Sequence, residues 1–396
     1  MSQGVLYISY DGMLEPLGQS QVLAYLERLA PGRRIHLMSF EKSGDWRNSS
    51  LREAIRRRME NAGIRWHPLR YHKRPSAPAT AFDIGVGGAL AAALCARHRL
   101  TVVHARSYVA GVMALAAKRT TGAQLLFDMR GLWADERVDG GLWPADGRLY
   151  RAAKAIERRL LLAADQVVTL THASEEEISR FRCLEGRMPP ITVIPTCADL
   201  DKFAIQGPPQ REPFVLGYVG SVGTRYRLDE MLRCFSLLRQ RIPESRLLIV
   251  NRGEHDLVSA RAASQNLCTA ALELTSALHE EVPALIGRMS GGFAWYKSGY
   301  SEIACAPTKL AEYLGCGVPC LGNSGVGDVA QVLEQRRVGV AIRAFSDEAL
   351  GSAVDGLLGL TEDPELQERC RTTALDLYSL DRGVEAYDTI YRELAR

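Results

Sequence analysis

Short apolar runs alternate with amphipathic stretches along the whole chain. In the first half, runs typical of buried strands occupy residues 5–9, 35–40, 102–104, 125–128, 167–170 and 191–194. Between them, apolar residues recur at helical spacing in 21–29, 51–61, 85–97, 148–162 and 174–181. This alternation predicts an α/β architecture with mostly parallel sheets.

A second series of the same kind follows a segment rich in glycine and proline, residues 201–213. Its predicted strands are 215–219, 247–251, 271–274, 292–296, 318–321 and 338–342, and a closing helix is predicted over 374–396. We therefore expect two Rossmann-like domains, 1–200 and 201–375, whose sheets face across a cleft. Residues 376–396 are expected to return as a helix to the first domain.

Composition narrows the class of protein. The 396 residues exceed one ordinary domain, and 46% hydrophobic with 24% charged residues is the balance of a soluble globular protein. Basic and acidic residues number 49 and 46, so the near-neutral surface does not favour a nucleic-acid partner. The scattered cysteines suit a reducing cytoplasm, and the longest apolar run, 84–95, is shorter than the roughly 20 residues of a membrane span.

Residues 306–319, with the sequence APTKLAEYLGCGVP, carry the most informative motif. Pro307 suits a helix start, so the amide groups of a helix opening at Thr308 are expected to point at a diphosphate. Lys309 and Glu312 lie three residues apart on one face and could serve the phosphates and the ribose of one nucleotide. The alternative is a surface salt bridge on an ordinary helix.

Residues 312–319 resemble the end of the paired-glutamate motif of the retaining family-four glycosyltransferases. Other stretches fit the same family in order: Gly18-Gln19-Ser20-Gln21, Val102 to Ser107, Val193 to Thr196 and Tyr218 to Ser221. The resemblance implies the GT-B fold, a UDP-linked or GDP-linked sugar donor, and a nucleoside ribose held by Glu312. Pro307, Thr308, Lys309 and Leu310 are then expected at the donor site.

Several positions depart from the family pattern. The first glutamate of the motif would fall at Ala304, and Glu302 is the nearest carboxylate that could contact the donor sugar. The basic pair of the family would map onto Ser221 and Tyr226. We therefore expect Arg225 to bind the diphosphate, with Arg252 as a second candidate.

The first domain is expected to hold the acceptor and to complete the catalytic site. Arg130 stands where the family usually has a histidine, and a cation there could neutralise the leaving phosphate. Asp128, with Asp135 and Glu136, offers carboxylates to the acceptor hydroxyl. A buried Asp128–Arg130 pair is the structural alternative. The resemblance also implies that Gly18 and Gln19 let the backbone approach the diphosphate or the acceptor.

Together these features predict an enzyme that transfers a sugar from a nucleoside diphosphate to a hydroxyl of a glycan or lipid-linked acceptor, with retention. No metal ion and no further cofactor are expected, since the helix dipole and basic side chains can stabilise the leaving diphosphate. A basic cluster suggests a peripheral contact with the inner membrane face, or else a solvated helix face: Arg52, Arg56, Arg57, Arg58, Lys73 and Arg74. The alternatives are a sugar-nucleotide epimerase and a catalytically inactive sugar-nucleotide-binding protein.

Overall fold

Two units make up the chain in a computed structural model that describes residues 3–209, 212–223 and 225–395. Unit 1 consists of Met1–Pro195 with Asp381–Arg396, and unit 2 of Thr196–Leu380. The sequence alone suggests divisions at 200 and 375. Each unit has its own parallel sheet, so the predicted α/β architecture with mostly parallel sheets is confirmed.

Unit 1 contains a seven-stranded sheet among its described residues. Its strands are β1 Gly4–Ser9, β2 Arg34–Glu41, β3 Arg65–Arg70, β4 Val102–Arg106, β5 Gln124–Asp128, β6 Gln166–Thr169 and β7 Ile191–Val193. All neighbours pair in parallel in the order β3-β2-β1-β4-β5-β6-β7. Helices cover both faces of such a sheet, which is why its inner strands are largely buried and rich in apolar residues.

The helices of unit 1 fill the connections between these strands. They are α1 Pro16–Gly18, α2 Ala24–Leu29, α3 Ser43–Trp46, α4 Ser49–Asn61, α5 Ser76–His98, α6 Ser107–Thr121, α7 Trp133–Asp139, α8 Arg148–Ala163 and α9 His172–Ser179, with a π-helical turn Gln19–Leu23 and a 3₁₀ turn Arg182–Leu184. Local signals fix several of the ends. Asn48 and Thr171 accept hydrogen bonds from the first turns of α4 and α9, and Gly122 ends α6 at a φ of 73°.

Unit 2 repeats the plan with a six-stranded parallel sheet among its described residues. The strands are β8 Val215–Val219, β9 Arg246–Val250, β10 Leu272–Thr275, β11 Gly291–Ala294, β12 Cys320–Asn323 and β13 Gly339–Ile342, in the order β10-β9-β8-β11-β12-β13. The helices are α10 Leu228–Arg241, α11 His255–Ser264, α12 Val282–Ile286, α13 Thr308–Gly315, α14 Val329–Arg336, α15 Asp347–Thr361 and α16 Leu366–Tyr378. Two 3₁₀ turns, Thr269–Ala271 and Tyr300–Ala304, precede β10 and α13.

The end of the chain differs from the predicted single helix over 374–396. Two helices, α16 and α17 (Leu380–Leu394), meet at Ser379, whose backbone is extended. Tyr378 O accepts from the Ala198 amide, and Ala198 O accepts from the Leu380 amide. This backbone pairing breaks the helix, and from Asp381 onward the chain belongs to unit 1.

Other differences have equally local causes. β3 was not predicted because its residues are only partly buried and do not form an apolar run. β12 begins two residues later than predicted, since Pro319 lacks the amide hydrogen that a strand interior needs. The helix predicted over 85–97 extends to Ser76–His98, which is long and apolar enough by length and composition to cross a membrane. Core helices of soluble proteins pass the same test, and α5 buries Ala91, Leu94 and Cys95.

Candidate active site

The carboxyl edge of the unit 2 sheet carries a helix whose amino end has no side-chain cap. α13 follows β11 through the turn Tyr300–Ala304, and Pro307 stands at its N-cap with φ −65° and ψ 118°. Proline fixes φ at a value that suits a helix start. Among the described residues, no side chain accepts a hydrogen bond from the first amide groups. The Leu310 amide donates to Pro307 O over 3.1 Å, which leaves the Thr308 and Lys309 amides available to an anion.

The ammonium group of Lys309 lies among three tyrosine rings. Its Nζ is 4.1 Å from the ring centroids of Tyr218 and Tyr226 and 5.5 Å from that of Tyr296, and it donates to Tyr218 Oη over 2.9 Å. These tyrosines come from β8, from the residues before α10 and from the residues after β11. We call them the tyrosine cage. Cation–π attraction holds the ammonium group in place at an exposed fraction of only 8%.

Burial changes the proton affinity of both charged residues on α13. It lowers the pKa of Lys309 to about 7, although Glu312 opposes the change. It also raises the pKa of Glu312 to about 7, against the opposing effect of Lys309. Both groups therefore titrate near neutral pH, where a bound phosphate can shift their protonation.

Glu312 is half-buried in the second turn of α13. Among the described residues its carboxylate has neither a hydrogen-bond partner nor an ion pair with Lys309, so the predicted alternative of a surface salt bridge does not hold. A carboxylate with free acceptor oxygens on a partly buried helix face can receive hydrogen bonds from two neighbouring hydroxyl groups. This arrangement is compatible with the predicted contact to a ribose.

Arg225 and Glu302, two predicted site residues, bind each other. Arg225 Nε donates to Glu302 Oε1 over 2.9 Å and its terminal nitrogen donates to Oε2 over 3.1 Å. The Glu302 side chain is only 7% exposed, whereas the Arg225 side chain is 43% exposed. Glu302 O also accepts from the Gly327 amide over 2.8 Å, which ties the turn before α13 to the loop after β12. The two residues therefore form one ion pair and not two independent contacts to a donor.

The loop after β8 is fixed by a residue that the sequence did not suggest. Glu254 accepts from the Val222 amide over 2.9 Å and from the Ser221 hydroxyl over 3.3 Å. Asn251 Nδ2 donates to the same carboxylate over 3.3 Å. Glu254 lies four residues after β9 and belongs to none of the predicted motifs. The tertiary structure brings it to the loop after β8.

The remaining predicted donor residues of unit 2 have different surroundings. Arg252 donates to Ala277 O over 3.2 and 2.8 Å, so its guanidinium group is held at the loop after β10. Leu310 is 1% exposed and packs in the core of unit 2, so its side chain contributes to the packing of α13 and not to a binding surface. Pro307 is buried, and Thr308 is half-buried at the helix start.

The sequence contains one Asp-x-Asp triplet, Asp199-Leu200-Asp201, a pattern that can contribute carboxylates to a metal site. In the structure Leu200 is buried, and Asp199 forms an ion pair with Lys202 at 3.4 Å. Within the described ranges, no group of three or more His, Cys, Asp or Glu residues is arranged to hold a metal ion. The triplet is part of the turn that opens unit 2.

In unit 1, Asp128 belongs to a buried polar cluster at the carboxyl ends of β4 and β5. Its Oδ2 accepts from Tyr387 Oη over 3.1 Å and lies 3.6 Å from His104 Nε2. Arg130 and Arg106 approach it to 3.9 and 4.0 Å. Burial opposes ionisation, but Arg130, His104 and Arg106 hold the pKa of Asp128 below its usual value. Asp128 is thus a weak base in a structural cluster, as in the predicted alternative.

A pocket of about 150 Å³ lies beside this cluster. Residues from the carboxyl ends of three strands and from α7 line it: Asp11, Arg106, Ser107, Met129, Arg130, Gly131, Trp133 and Glu136. It opens where the strand order reverses between β1 and β4, the usual ligand position in open parallel sheets. Of the predicted catalytic residues in unit 1, Arg130 lines the pocket, and Asp128 does not. Asp135, also predicted as a carboxylate for the acceptor hydroxyl, instead accepts hydrogen bonds from Tyr150 and Lys154.

The backbone at the pocket is unusual for the residue types present. Ser107 and Arg130 have φ values of 68° and 60°, in the left-handed region that non-glycine residues seldom adopt. Such conformations cost free energy and concentrate at functional sites.

The structure gives a packing reason for glycine at position 18, and its predicted contact with the diphosphate or the acceptor stays a prediction. A Cβ at this position would lie 2.1 Å from Gly12 O, so glycine is required because the loop after β1 packs against the chain itself. Gln19 begins the π-helical turn, and its Nε2 reaches Leu14 O at 3.5 Å. Both residues therefore shape the loop at the carboxyl end of β1.

Comparison with known proteins agrees with the two-unit fold. Residues 21–197 match the family described as glycosyl transferase 4-like domain, and residues 201–376 match glycosyl transferases group 1. Among curated proteins, none matches the sequence.

Solved structures resemble the chain over its full length at low identity. A glycosyltransferase from Rickettsia africae has a TM-score of 0.73 and 14% identity, covering 100% of this chain and 99% of its own. Sucrose-phosphate synthase from Thermosynechococcus elongatus has a TM-score of 0.70 and 15% identity, with 99% of each chain covered. The Anabaena protein HepE, in complex with UDP and glucose, has a TM-score of 0.65 and 13% identity, with 98% of each covered.

Together with the two parallel sheets in tandem, these family matches identify a glycosyltransferase of the GT-B fold. The chain belongs to the glycosyltransferases that combine a glycosyl transferase 4-like domain with a group 1 domain. The predicted relationship to known glycosyltransferases and the predicted enzyme class, a glycosyltransferase, are confirmed.

Proposed function

We propose that this glycosyltransferase moves a sugar from a nucleoside diphosphate to a hydroxyl acceptor with retention of the anomeric configuration. The proposed donor is a UDP-linked or GDP-linked sugar, and the proposed reaction uses no metal ion or further cofactor. The observation that carries the proposal is a helix start without a side-chain cap, followed one turn later by a Glu312 carboxylate that has no hydrogen-bond partner among the described residues. The diphosphate binds the amide groups of the helix, and Glu312 accepts from the ribose hydroxyls.

Lys309 supplies the positive charge that the family pattern would place elsewhere. The lysine of the family pair maps onto Tyr226, and the Lys309 ammonium lies 4.1 Å from the ring of that tyrosine. A cation is thus present near the expected position, although it comes from α13 and not from the loop after β8. This substitution favours a working donor site over an inactive one.

The Arg225–Glu302 pair supports a role in holding the donor sugar. Ala304 stands at the position of the first glutamate, and Glu302 lies two residues earlier in the same 3₁₀ turn. Its bidentate bond to Arg225 fixes the carboxylate. Glu302 would contact the sugar, and Arg225, with 43% of its side chain exposed, could add charge at the diphosphate.

In the proposed reaction the acceptor hydroxyl oxygen bonds to the anomeric carbon while the bond from that carbon to the diphosphate breaks. The electron pair stays on the diphosphate, which receives the hydroxyl proton on the same face of the sugar. Preorganised charge at the leaving group lowers the barrier of such a step. Here that charge comes from the amide end of α13 and from Lys309.

The acceptor is proposed to occupy the pocket of unit 1. Arg106 and Arg130 can donate hydrogen bonds there, Asp11 and Glu136 can accept them, and Trp133 adds an apolar ring. This mixture suits a polyhydroxyl group. A glycan or a lipid-linked sugar is the proposed acceptor, which places the enzyme in polysaccharide or glycolipid assembly, in the cytoplasm and at the inner face of the membrane.

The donor site is tested by titrating UDP and GDP into the wild-type protein and into Glu312→Ala and Lys309→Ala. Each substitution should weaken binding of the preferred nucleotide by roughly 1–3 kcal/mol, because each removes a charged group that hydrogen-bonds the ligand. Glu348→Ala, at an exposed position on α15, is the matched control and should bind like the wild type. Unchanged affinity in both site variants would contradict the assignment.

Turnover distinguishes the remaining alternatives. Incubation with sugar nucleotides and no acceptor should leave the donor sugar unchanged apart from slow hydrolysis, whereas an epimerase would produce a new sugar nucleotide. With a glycan or lipid-linked acceptor, transfer should occur, whereas an inactive binding protein would show none.

A further inference from the structure

Helix α6 begins at the pocket of unit 1 without a side-chain cap. Its first residue, Ser107, lines the pocket. Among the described residues, no side chain caps the first turn, and none of the residues in that turn is acidic. Amide groups at such a helix start carry partial positive charge and bind anions. Whether an anion belongs in this pocket depends on the side chains beside the helix start.

Arg106, the last residue of β4, is buried at this helix start with hydrogen-bond donors left over. Its side chain is 6% exposed and lines the pocket. In the part of the chain that the structure describes, neither its Nε nor its Nη1 has a hydrogen-bond partner. Nε lies 3.4 Å from Asp11 Oδ2 and Nη1 lies 4.0 Å from Asp128 Oδ2, which are ionic contacts without hydrogen-bond geometry. Buried donors without acceptors cost free energy, and a small rotation toward the pocket would give them an oxyanion as acceptor.

Arg130 brings a second guanidinium group to the same pocket. Its side chain is 12% exposed, and its ionic contact with Asp128 Oδ1 has a length of 3.9 Å, beyond the range of a hydrogen bond. The two arginines come from the ends of neighbouring strands, β4 and β5, where the pocket opens. Paired guanidinium groups are suited to the several oxygens of one phosphate or carboxylate.

The buried charges around the pocket are not balanced. The two arginines share the buried carboxylate of Asp128, which also accepts a hydrogen bond from Tyr387 Oη. Burial lowers the pKa of His104, so the imidazole beside Asp128 is neutral at pH 7. Asp11 and Glu136 also line the pocket, but both are partly exposed, so water screens their charge. The buried side of the pocket therefore favours an anion.

We propose that this pocket binds an anionic group of the acceptor, a phosphate or a carboxylate, between Arg106, Arg130 and the amino end of α6. The inference rests on the proposed function for one point, the assignment of the pocket to the acceptor. It narrows the acceptor to a sugar phosphate or an acidic sugar. Asp11 and Glu136, on the more exposed side, then accept hydrogen bonds from hydroxyl groups of the same molecule.

Fluorescence of Trp133, which lines the pocket, measures binding in the full chain. The signal of Trp133→Phe is subtracted to remove the other tryptophans. The probes are inorganic phosphate, glucose 6-phosphate, glucuronate and glucose, titrated at constant ionic strength with the preferred nucleotide present at saturation. The nucleotide occupies unit 2, so phosphate cannot bind there. We expect the phosphate and carboxylate probes to bind at least about tenfold more tightly than glucose, since they form charge-assisted hydrogen bonds.

Substitution of the arginines tests their role. Arg130→Gln should weaken binding of the charged probes at least about tenfold and leave the weak binding of glucose unchanged. Arg106→Lys keeps the charge at a buried position but lacks the planar fork, so a smaller loss is expected. The matched control is Arg119→Gln, an equal change of charge at an exposed position in the last turn of α6, and it should bind like the wild type. Circular dichroism confirms that each variant is folded.

Two results would overturn the proposal: glucose binding as tightly as the charged probes, and charged probes binding equally to wild type and to both arginine variants. A third would assign the anion to the donor. In that case Arg130→Gln would weaken nucleotide binding as much as Lys309→Ala does, and bound nucleotide would exclude the charged probes. A wild type that binds nucleotide but no charged probe refutes the anion site while leaving the donor site of unit 2 intact.

Discussion

At the scale of single residues, Lys309 combines a buried position with a proton affinity suited to ligand binding. Its nearest groups are aromatic rings and the Tyr218 hydroxyl, none of which carries a full negative charge. The charged form is therefore less stable here than in water, and burial lowers its pKa to about 7. A diphosphate brought to the helix start would stabilise the ammonium form and raise that pKa.

Nucleotide binding should therefore take up a proton through Lys309. Above pH 7 the free protein holds mostly neutral lysine, whereas the complex holds ammonium, so affinity should fall by up to about tenfold per pH unit as the pH rises from 7 to 9. Calorimetric titration in buffers of different ionisation enthalpy measures the proton uptake directly.

Lys309→Met is the control for this prediction, because it fills a similar volume without a titrating group. The variant should bind more weakly and lose the proton uptake that Lys309 causes. Uptake of the same size in the variant would show that a group other than Lys309 is responsible. Glu312, with a pKa of about 7, would instead release a proton when its carboxylate accepts from the ribose hydroxyls.

At the scale of elements, the loop and helices after β1 show how one glycine fixes a connection. A Cβ on Gly18 would meet Gly12 O at 2.1 Å and the Met13 Cα at 3.0 Å, and both are backbone atoms that cannot rotate away. Gly85, in the interior of α5, has nothing within 4 Å of its Cβ position. A side chain at position 18 would therefore clash with the backbone, whereas position 85 has room for one.

Replacing each by alanine should change the free energy of unfolding in opposite directions. Gly18→Ala should destabilise unit 1 by about 1–3 kcal/mol or more, because the added methyl group forces the loop apart. Gly85→Ala should stabilise by roughly 0.5–1 kcal/mol, since alanine loses less backbone freedom in a helix. Urea denaturation followed by circular dichroism measures both, and a stable Gly18→Ala would show that the loop repacks freely.

Much of the fold and part of the site could be predicted from these elements. Apolar runs located most inner strands, because parallel strands buried on both faces are continuously hydrophobic. The edge strand β3 escaped prediction, since its partly buried residues include Arg65 and Arg70. Pro307, Gly315 and Gly317 correctly marked the ends of α13, the helix at which the donor is proposed to bind.

The rest of the site depended on contacts between distant parts of the sequence. The tyrosine cage joins residues 218, 226 and 296 around Lys309, and no local spacing connects them. The same is true of the bond between Arg225 and Glu302, which are 77 positions apart. Sequence motifs identified the charged residues, but their partners are determined by the tertiary structure.

At the scale of the whole molecule, the chain contains two candidate binding regions, one in each unit. The donor region comprises the loop after β8, the turn Tyr300–Ala304 and the start of α13, all in unit 2. The other is the pocket at the carboxyl ends of β1, β4 and β5 in unit 1. The proposed division of labour assigns the nucleotide to unit 2 and the acceptor to unit 1.

Hydrogen–deuterium exchange tests this division on the intact chain. Addition of the preferred nucleotide should slow exchange in peptides covering residues 217–227 and 300–314, because bound phosphate fixes amide groups there and reduces local opening. Peptides of the unit 1 pocket, residues 103–110 and 127–136, should keep their exchange rates. The Glu312→Ala variant at the same nucleotide concentration should show weaker protection in proportion to its lower occupancy. Protection centred on the unit 1 peptides would instead place the nucleotide beside Arg106 and Arg130, and the roles proposed for the two units would have to be exchanged.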